Sequence, residues 1–264
     1  MNNLSKPARW AVVTGASDGI GRAFTVELAL RNWGCVLVAR RSDMLEALAD
    51  ELGADRCLVL PLDLADPAAT DFLAHATAEL PVELLVAAAG FGTSGPLAGV
   101  AREDELTMID VNCRAVAAQV HLFAGRMAAQ RRGGIILFSS IVAFQGVPRS
   151  ANYAATKAYI QTLAEGLRPE LKPYGVDVLS VAPGPIASGF AARAGLTMGM
   201  SQTPDVVAKG ALAALGKTTT VKPGWLAKLL ITSLGFLPRW GRTLVVGQIM
   251  AGMTKDKVKG GTSA

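Results

Sequence analysis

The length of 264 residues suits one large α/β domain. Hydrophobic residues make up 51% and charged residues 18% of the chain, which is enough apolar material for a large core. The net charge of +5 is modest and no dense basic stripe with interleaved aromatic residues occurs, so no nucleic acid is expected as a partner.

Strand-like and helix-like runs alternate along the chain, the pattern of a parallel sheet covered by helices on both faces. The strand-like runs are rich in Val, Ile and Leu rather than alternating, as buried parallel strands are. The predicted strands are Trp10–Thr14, Cys35–Ala39, Cys57–Leu60, Leu84–Ala88, Gly134–Ser139, Val176–Val181 and a short seventh at Thr219–Lys222. The predicted helices are Ile20–Asn32, Asp43–Leu52, Pro67–Leu80, Glu103–Arg131 and Ala151–Lys172. We expect a single domain spanning residues 1–264.

The cysteines and the N-terminus indicate a cytoplasmic protein. Cys35, Cys57 and Cys113 cannot all pair, and two of them lie in predicted buried strands, so we expect reduced thiols. No apolar stretch precedes Trp10, as a secretory signal would require, and no run reaches the roughly 18 apolar residues of a membrane span. The sequence has no cysteine–histidine cluster, and we expect no metal site.

A glycine-rich turn, Thr14-Gly-Ala-Ser-Asp-Gly-Ile-Gly21, follows the first strand and opens the first helix. Glycines at 15, 19 and 21 let the backbone turn sharply and approach a pyrophosphate, while the helix N-terminus offers unpaired N–H groups. Such a turn can also serve only to join a strand to a helix. The strand before it and the helix after it favour a dinucleotide site.

The end of the second strand reads Val38-Ala39-Arg40-Arg41. An acidic side chain there would bind the ribose hydroxyl groups and repel a phosphate. Two arginines can instead hold a ribose phosphate bidentately, which predicts NADP(H) as the cofactor. Arg22 is a candidate third cation. The alternative is a pair of solvated arginines at the end of a strand.

Tyr153 and Lys157, in Asn152-Tyr-Ala-Ala-Thr-Lys-Ala158, are spaced to share one helical face. A phenol normally loses its proton near pH ~10, and a neighbouring ammonium group favours the phenolate, so we expect a lowered pKa for Tyr153. Such a hydroxyl can act as a general acid or base near neutral pH. On its own, such a pair usually lies on an ordinary helix without a catalytic role. Ser139 and Ser140 lie shortly upstream and strengthen the prediction of a catalytic site.

With the glycine turn, the serine pair and the Tyr–Lys pair in this order, the chain resembles the short-chain dehydrogenase/reductase family from about Trp10 to about Leu215. The resemblance implies a Rossmann-type doubly wound parallel sheet of about seven strands flanked by helices. It implies that Ser140, thirteen residues before Tyr153, polarises the substrate carbonyl, with Ser139 as a structural neighbour. Tyr153 would then donate the proton.

The resemblance also assigns Lys157 to the nicotinamide ribose and Asn112 to a water in a proton relay. Asp63-Leu64 would meet the adenine ring, and Pro183-Gly-Pro185 would turn against the nicotinamide. Ala87-Ala-Ala-Gly90 stands where most members have Asn-Asn-Ala-Gly, so the usual side-chain hydrogen bonds there cannot form. The residues predicted to contact the cofactor are Gly15, Ser17, Asp18, Gly19, Ile20, Gly21, Arg40, Arg41, Asp63, Leu64, Ala89, Gly90, Tyr153, Lys157, Pro183, Gly184, Ile186 and Ser188.

Residues 187–203 are expected to form a flap over the substrate, with glycines as hinges. The stretch is apolar and contains methionines, which suits an adaptable pocket for a hydrophobic ketone or alcohol. Phe91, Phe144 and Val147 are predicted to add to the pocket wall.

A helical extension is predicted at 224–253, followed by a flexible tail at 255–264. The apolar segment Gly224–Trp240 resembles the ending of the DltE-like branch of the family. It could be a subunit contact, a lid beside the substrate mouth, or an interfacial helix on a membrane. Because a strongly polar opposite face is missing, packing within the protein or in a homodimer or homotetramer is favoured over a peripheral membrane contact.

The sequence therefore predicts an NADPH-dependent oxidoreductase, a carbonyl reductase or alcohol dehydrogenase, with the tyrosine as general acid–base. One alternative is a non-catalytic NADP-binding sensor, although such a protein has no need for Asn112, Ser140, Tyr153 and Lys157 together. A second alternative is an epimerase or dehydratase on the same scaffold, which would need further acids or bases.

Overall fold

The computed structural model describes residues 7–187, 189, 201–224 and 233–253. Its centre is a parallel sheet with the strand order β3-β2-β1-β4-β5-β6-β7. The strand order reverses between β1 and β4, so a crevice opens there at the carboxyl ends of the strands. The strands are β1 Trp10–Thr14, β2 Gly34–Ala39, β3 Cys57–Pro61, β4 Val82–Ala87, β5 Gly133–Phe138, β6 Val176–Val181 and β7 Thr220–Val221.

Helices cover both faces of this sheet. The described helices are α1 Gly19–Ala29, α2 Ser42–Leu52, α3 Ala69–Ala76, α4 Arg102–Ile109, α5 Ala115–Gln130, α6 Ala151–Leu171, α7 Pro204–Ala214 and α8 Arg239–Met253. One core cluster joins α3, α5 and α6 to the sheet through side chains such as Leu73, Phe123 and Ile160. A second cluster joins α1, α2 and α7 to the other face through Phe24, Leu45 and Val207. The predicted Rossmann-type doubly wound fold is confirmed.

Two predicted helices differ from the observed ones. The helix expected at Pro67–Leu80 covers only Ala69–Ala76, where Arg126 of α5 donates hydrogen bonds to the carbonyls of Ala74 and Thr77. An arginine in this position satisfies carbonyls that a helix leaves unpaired at its C-terminus. The helix expected at Glu103–Arg131 is divided into α4 and α5 by a π-helical turn at Asp110–Arg114. Turns of this kind are frequent at functional sites.

The three cysteines are unpaired thiols, as predicted. Cys35 and Cys57 are neighbours across β2 and β3. Burial raises the pKa of Cys35 to about 12 and that of Cys57 to about 11, so both thiols stay protonated at neutral pH.

Several predicted segments lie outside the described residues: most of the flap, at 188 and 190–200, part of the extension, at 225–232, and the tail at 255–264. In the described part of the extension, α8 begins at Arg239, directly after Pro238. No helix within the described residues is long and apolar enough to cross a membrane.

Candidate active site

The predicted motifs meet around one cavity of about 650 Å³ at the carboxyl ends of the strands. Of the predicted cofactor and catalytic residues, all line this cavity except two. Asn112 lies behind the wall, and Ser188 is outside the described residues. The topology explains this convergence, because parallel strands end at the same edge of the sheet and each motif follows a strand.

The glycine turn packs too closely for side chains. Gly15 has a φ of +69° and Gly19 a φ of +53°, a conformation that favours glycine. A Cβ on Gly21 would collide with the carbonyl oxygen of Gly15, and a Cβ on Gly15 would lie 3.0 Å from the Cα of Ala89. Asp18 caps α1 by accepting a hydrogen bond from the Gly19 N–H at 2.7 Å. The turn therefore presents bare backbone at a helix N-terminus, which fits a pyrophosphate.

Two arginines stand at the end of β2, where no acidic side chain follows the strand. The Arg41 guanidinium donates a hydrogen bond to Ser17 Oγ at 3.1 Å, which fixes it beside the glycine turn. The Arg40 side chain is exposed and forms no hydrogen bond or ion pair with a described residue. Arg22, the candidate third cation, forms an exposed ion pair with Glu51 of α2, and its role in binding a phosphate stays a prediction.

In the segment after β4, Ala87 and Ala88 stand where most members of the family have two asparagines. The Ala89 N–H instead donates a hydrogen bond to Thr14 Oγ1 at 3.1 Å. Gly90 then passes so close to its neighbours that an added Cβ would lie 2.9 Å from Asn112 Oδ1 and 3.6 Å from Lys157 Nζ. The threonine at the end of β1 thus supplies the bond that holds this segment in place.

Asn112 lies in the π-helical turn and is 1% exposed. Its Oδ1 accepts from the Phe91 N–H at 3.1 Å, and its Nδ2 donates to the Phe91 carbonyl at 2.8 Å and to Thr156 Oγ1 at 3.1 Å. Both amide hydrogens have acceptors within the protein. The side chain therefore connects the segment after β4 to α6, and its role in a proton relay stays a prediction.

Tyr153 and Ser140 form the polar centre of the cavity, joined by a hydrogen bond between their side chains. Burial raises the pKa of Tyr153, and the hydrogen bond with Ser140 offsets this only in part. We expected Lys157 to lower the pKa of Tyr153, and this prediction is wrong. Burial of the phenol raises its pKa by more than its neighbours lower it. Lys157 Nζ lies 5.6 Å from the centre of the tyrosine ring and donates to the Phe138 carbonyl at 2.9 Å. The phenol therefore keeps its proton at neutral pH.

Lys157 is buried on α6, one turn after Tyr153. Burial lowers its pKa to about 8, and the nearby thiol of Cys113 partly offsets this. The ammonium form thus predominates at pH 7 and is lost as the pH rises through about 8.

Beneath the cavity, a buried polar network was not predicted from the sequence. Ser139 Oγ lies 2.9 Å from Gln161 Oε1 and 2.9 Å from Ser180 Oγ. Gln161 Nε2 donates to Thr220 Oγ1 at 2.7 Å and to Glu165 Oε1 at 2.8 Å. The Ser139 hydroxyl is thus bound within this network, whereas Ser140 is hydrogen-bonded to Tyr153. The assignment of catalysis to Ser140 stays a prediction.

The far wall of the cavity comes from the C-terminal part of the chain. Leu234 and the α8 residues Val246, Ile249 and Met250 line it, together with Phe91 as predicted. This supports the lid interpretation of the extension. From the sequence, a lid was one of three interpretations of this segment, and no local pattern identifies which of its residues line the cavity.

Two residues predicted for the pocket wall are absent from its described lining. Val147 packs behind it against Val246 and Met250. The Phe144 ring lies 5.7 Å from Lys222 Nζ. A polar side chain that was not predicted, Gln145, lines the cavity and donates to the Ile141 carbonyl.

Sequence comparisons place the chain among the short-chain dehydrogenases. Residues 9–198 match the family model for short chain dehydrogenases. A 7β-hydroxysteroid dehydrogenase of Clostridium sardiniense is 34% identical over 70% of this chain and 72% of its own length. A very-long-chain 3-oxoacyl-CoA reductase of Aspergillus terreus is 30% identical over 94% of this chain and 74% of its own.

The fold is similar to that of solved structures of short-chain dehydrogenases. A 7β-hydroxysteroid dehydrogenase structure superposes with a TM-score of 0.83 at 26% identity, covering 93% of this chain and 99% of the other. A short-chain dehydrogenase of Sphingobium yanoikuyae, solved in complex with NADPH, has a TM-score of 0.77 at 25% identity, covering 97% and 98% of the two chains.

Replacing Gly21 by Ala tests the glycine turn. We expect NADPH affinity to fall by at least about tenfold, because the new Cβ forces the Gly15 carbonyl away and opens the turn. Fluorescence titration measures the dissociation constant. Gly166→Ala is the control, since a Cβ at this position on α6 meets nothing within 4 Å. Equal NADPH affinity of both variants and the wild type would contradict the assignment of the glycine turn to the pyrophosphate.

The titration of Lys157 predicts a pH dependence of NADPH affinity. The ammonium group favours the bound nucleotide, so affinity is highest below about pH 8 and falls as the pH rises through that value. The measurement is the dissociation constant between about pH 6 and 9.5. In Lys157→Arg, whose side chain stays charged, we expect the NADPH affinity not to fall above about pH 8. An identical fall of affinity in the variant would mean that another group causes it.

Proposed function

The chain belongs to the short-chain dehydrogenase/reductase family, and on that premise we propose that it is an NADPH-dependent reductase of hydrophobic ketones and, in reverse, a dehydrogenase of the corresponding alcohols. The observation that carries the proposal is the Ser140–Tyr153 hydroxyl pair, with Lys157 beside it, in the cavity that the glycine turn also lines. When bound, NADPH supplies the hydride.

The residues at the sheet edge fit NADPH. The backbone of the glycine turn suits the pyrophosphate, and Arg41, held by Ser17, lies where a ribose phosphate would extend past β2. Exposed Arg40 adds a second cation and Ala39 adds no repelling charge. Asp63 and Leu64 line the same cavity and are proposed to meet the adenine ring. The NADPH complex of the Sphingobium relative supports this choice of cofactor.

The chemistry at the carbonyl falls to the two hydroxyl groups. Ser140 Oγ accepts a hydrogen bond from the Val142 N–H, and the Ser140 hydroxyl is also hydrogen-bonded to Tyr153. When a ketone is bound, both hydroxyl groups turn from each other to donate to its carbonyl oxygen. Negative charge that develops on this oxygen is stabilised by the serine and then neutralised by the phenol proton of Tyr153. The raised pKa of Tyr153 suits the role of acid, since the proton is present at neutral pH. In the alcohol-oxidising direction the same phenol must first lose its proton.

An apolar substrate fits the walls of the cavity. Phe91, Val142, Leu234, Val246 and Met250 line the space around the hydroxyl pair. The relatives are named for a long-chain 3-oxoacyl thioester and for a hydroxysteroid, both of which present a carbonyl or hydroxyl group on a large apolar body. The three unpaired thiols support the proposal of a cytoplasmic location, and a homodimer or homotetramer remains the proposed assembly.

Tyr153→Phe tests the acid. We expect kcat for ketone reduction to fall by at least about a hundredfold, because general acid catalysis typically contributes ~10²–10⁴. Affinity for NADPH is expected to change little, since the ring and Lys157 remain. Loss of NADPH absorbance with a panel of long-chain and ring ketones measures the rate. Tyr159→Phe, an exposed tyrosine on the same helix, is the matched control. Near-normal turnover of Tyr153→Phe would reject the assignment, and NADPH binding without turnover in the wild type would favour a sensor.

Arg40→Asp and Arg41→Asp test the choice between NADPH and NADH. Each variant replaces a cation with an anion beside the proposed ribose phosphate. We expect the ratio of kcat/KM for NADPH to that for NADH to fall by at least about tenfold in one or both. Lys172→Asp makes the same change of charge at an exposed site outside the cavity lining. A cofactor preference unchanged in both arginine variants would contradict the proposed phosphate site.

A further inference from the structure

Helix α8 is apolar on the face it exposes as well as on the face it buries. Val246 and Met250 pack inward against the cavity. On the outside, Trp240 is 70% exposed and Leu244 is 62% exposed, and Phe236 just before the helix is exposed as well. A helix with two apolar faces has a second surface to cover, and contiguous exposed apolar side chains mark interaction sites.

This outer surface, comprising Phe236, Trp240, Leu244, Val245 and Ile249, is continuous with the inside of the cavity. Ile249 is 50% exposed and also lines the cavity. Ile249 therefore belongs both to the outer surface and to the cavity that holds the Ser140–Tyr153 pair.

The C-terminal part of the chain, which includes α8, is positively charged. Residues 224–264 contain six basic residues and a single acidic one, which matches the net charge of +5 for the whole chain. Arg239 is exposed at the start of α8, and Arg242 donates to the carbonyls of Gly235 and Leu237. The basic residues are Lys228, Arg239, Arg242, Lys255, Lys257 and Lys259, and the acidic residue is Asp256.

We propose that the outer surface of α8 docks on an anionic lipid bilayer. Trp240, Phe236 and Leu244 enter the interfacial region, and Arg239 and Arg242 meet the lipid phosphates. A second copy of the chain could also cover the apolar side chains. A symmetric contact centred on α8, however, brings two basic segments together, whereas an anionic surface complements them.

Docking in this way places the cavity mouth against the lipid. Together with the proposed function, on which this step rests, it defines the substrate as a bilayer-dissolved ketone that enters beside Ile249. The sequence alone favoured packing within the protein or a dimer for this segment, because the exposure of the outer face of α8 is visible only in the fold.

Vesicle co-sedimentation of the full chain tests the docking, without nucleotide or ketone present. We expect binding to vesicles of phosphatidylcholine with phosphatidylglycerol, and much weaker binding to phosphatidylcholine alone. Trp240→Ser with Leu244→Ser should weaken binding by at least about tenfold, since two large apolar side chains are lost. Neither residue lines the cavity, so NADPH affinity and turnover of a short-chain ketone should stay unchanged. Phe72→Ser, an exposed aromatic on α3, is the control.

Three results would overturn the docking proposal. The first is an absence of binding to anionic vesicles. The second is equal loss of binding in the Phe72→Ser control. The third is a double variant that binds vesicles like the wild type. If vesicle binding is absent and the double variant dissociates an oligomer in sedimentation analysis, the outer surface belongs to a second copy. Because these experiments need no turnover, their failure is distinct from a failure of the reductase assignment.

Discussion

The hydrogen bond from Lys157 Nζ to the Phe138 carbonyl fixes helix α6 across the carboxyl end of β5. It determines where the phenol of Tyr153, one turn earlier, meets Ser140 just after that strand. One turn later, Gln161 extends the attachment through Ser139 and Ser180 to β6. Each of these groups is buried, so breaking a bond leaves an unpaired polar atom at a cost of about 1–3 kcal/mol. The geometry of the proposed catalytic residues therefore depends on the edge of the sheet and not on one loop.

The nucleotide half and the catalytic half are connected by the backbone after β4. Ala89 is held by Thr14 of β1, and Gly90 approaches both Asn112 and Lys157 closely. Asn112 in turn binds the segment at Phe91 and α6 at Thr156. This gives Asn112 a positioning role that its sequence motif alone does not reveal.

The elements that depend on local patterns could be predicted from the sequence. The strands are buried apolar runs, and the glycine turn and the Tyr–Lys pair are defined by spacing, so their positions follow directly. The pKa of Tyr153 could not be predicted in the same way, because its direction depends on burial and on where the Lys157 ammonium group points. The pairing of Arg22 with Glu51 and the wall formed by α8 are contacts between distant segments. No local pattern records such contacts.

The Ser140–Tyr153 pair is proposed to serve a carbonyl group that lies beside a nicotinamide in one cavity. The most direct measurement uses NADPH labelled with deuterium at C4, in each of the two stereochemical positions, with a long-chain 3-oxoacyl thioester and a ring ketone. Mass spectrometry of the alcohol reports the label. Deuterium is expected on the carbinol carbon from one labelled position only. An alcohol without label from either position, or nucleotide consumed without alcohol formed, would contradict it.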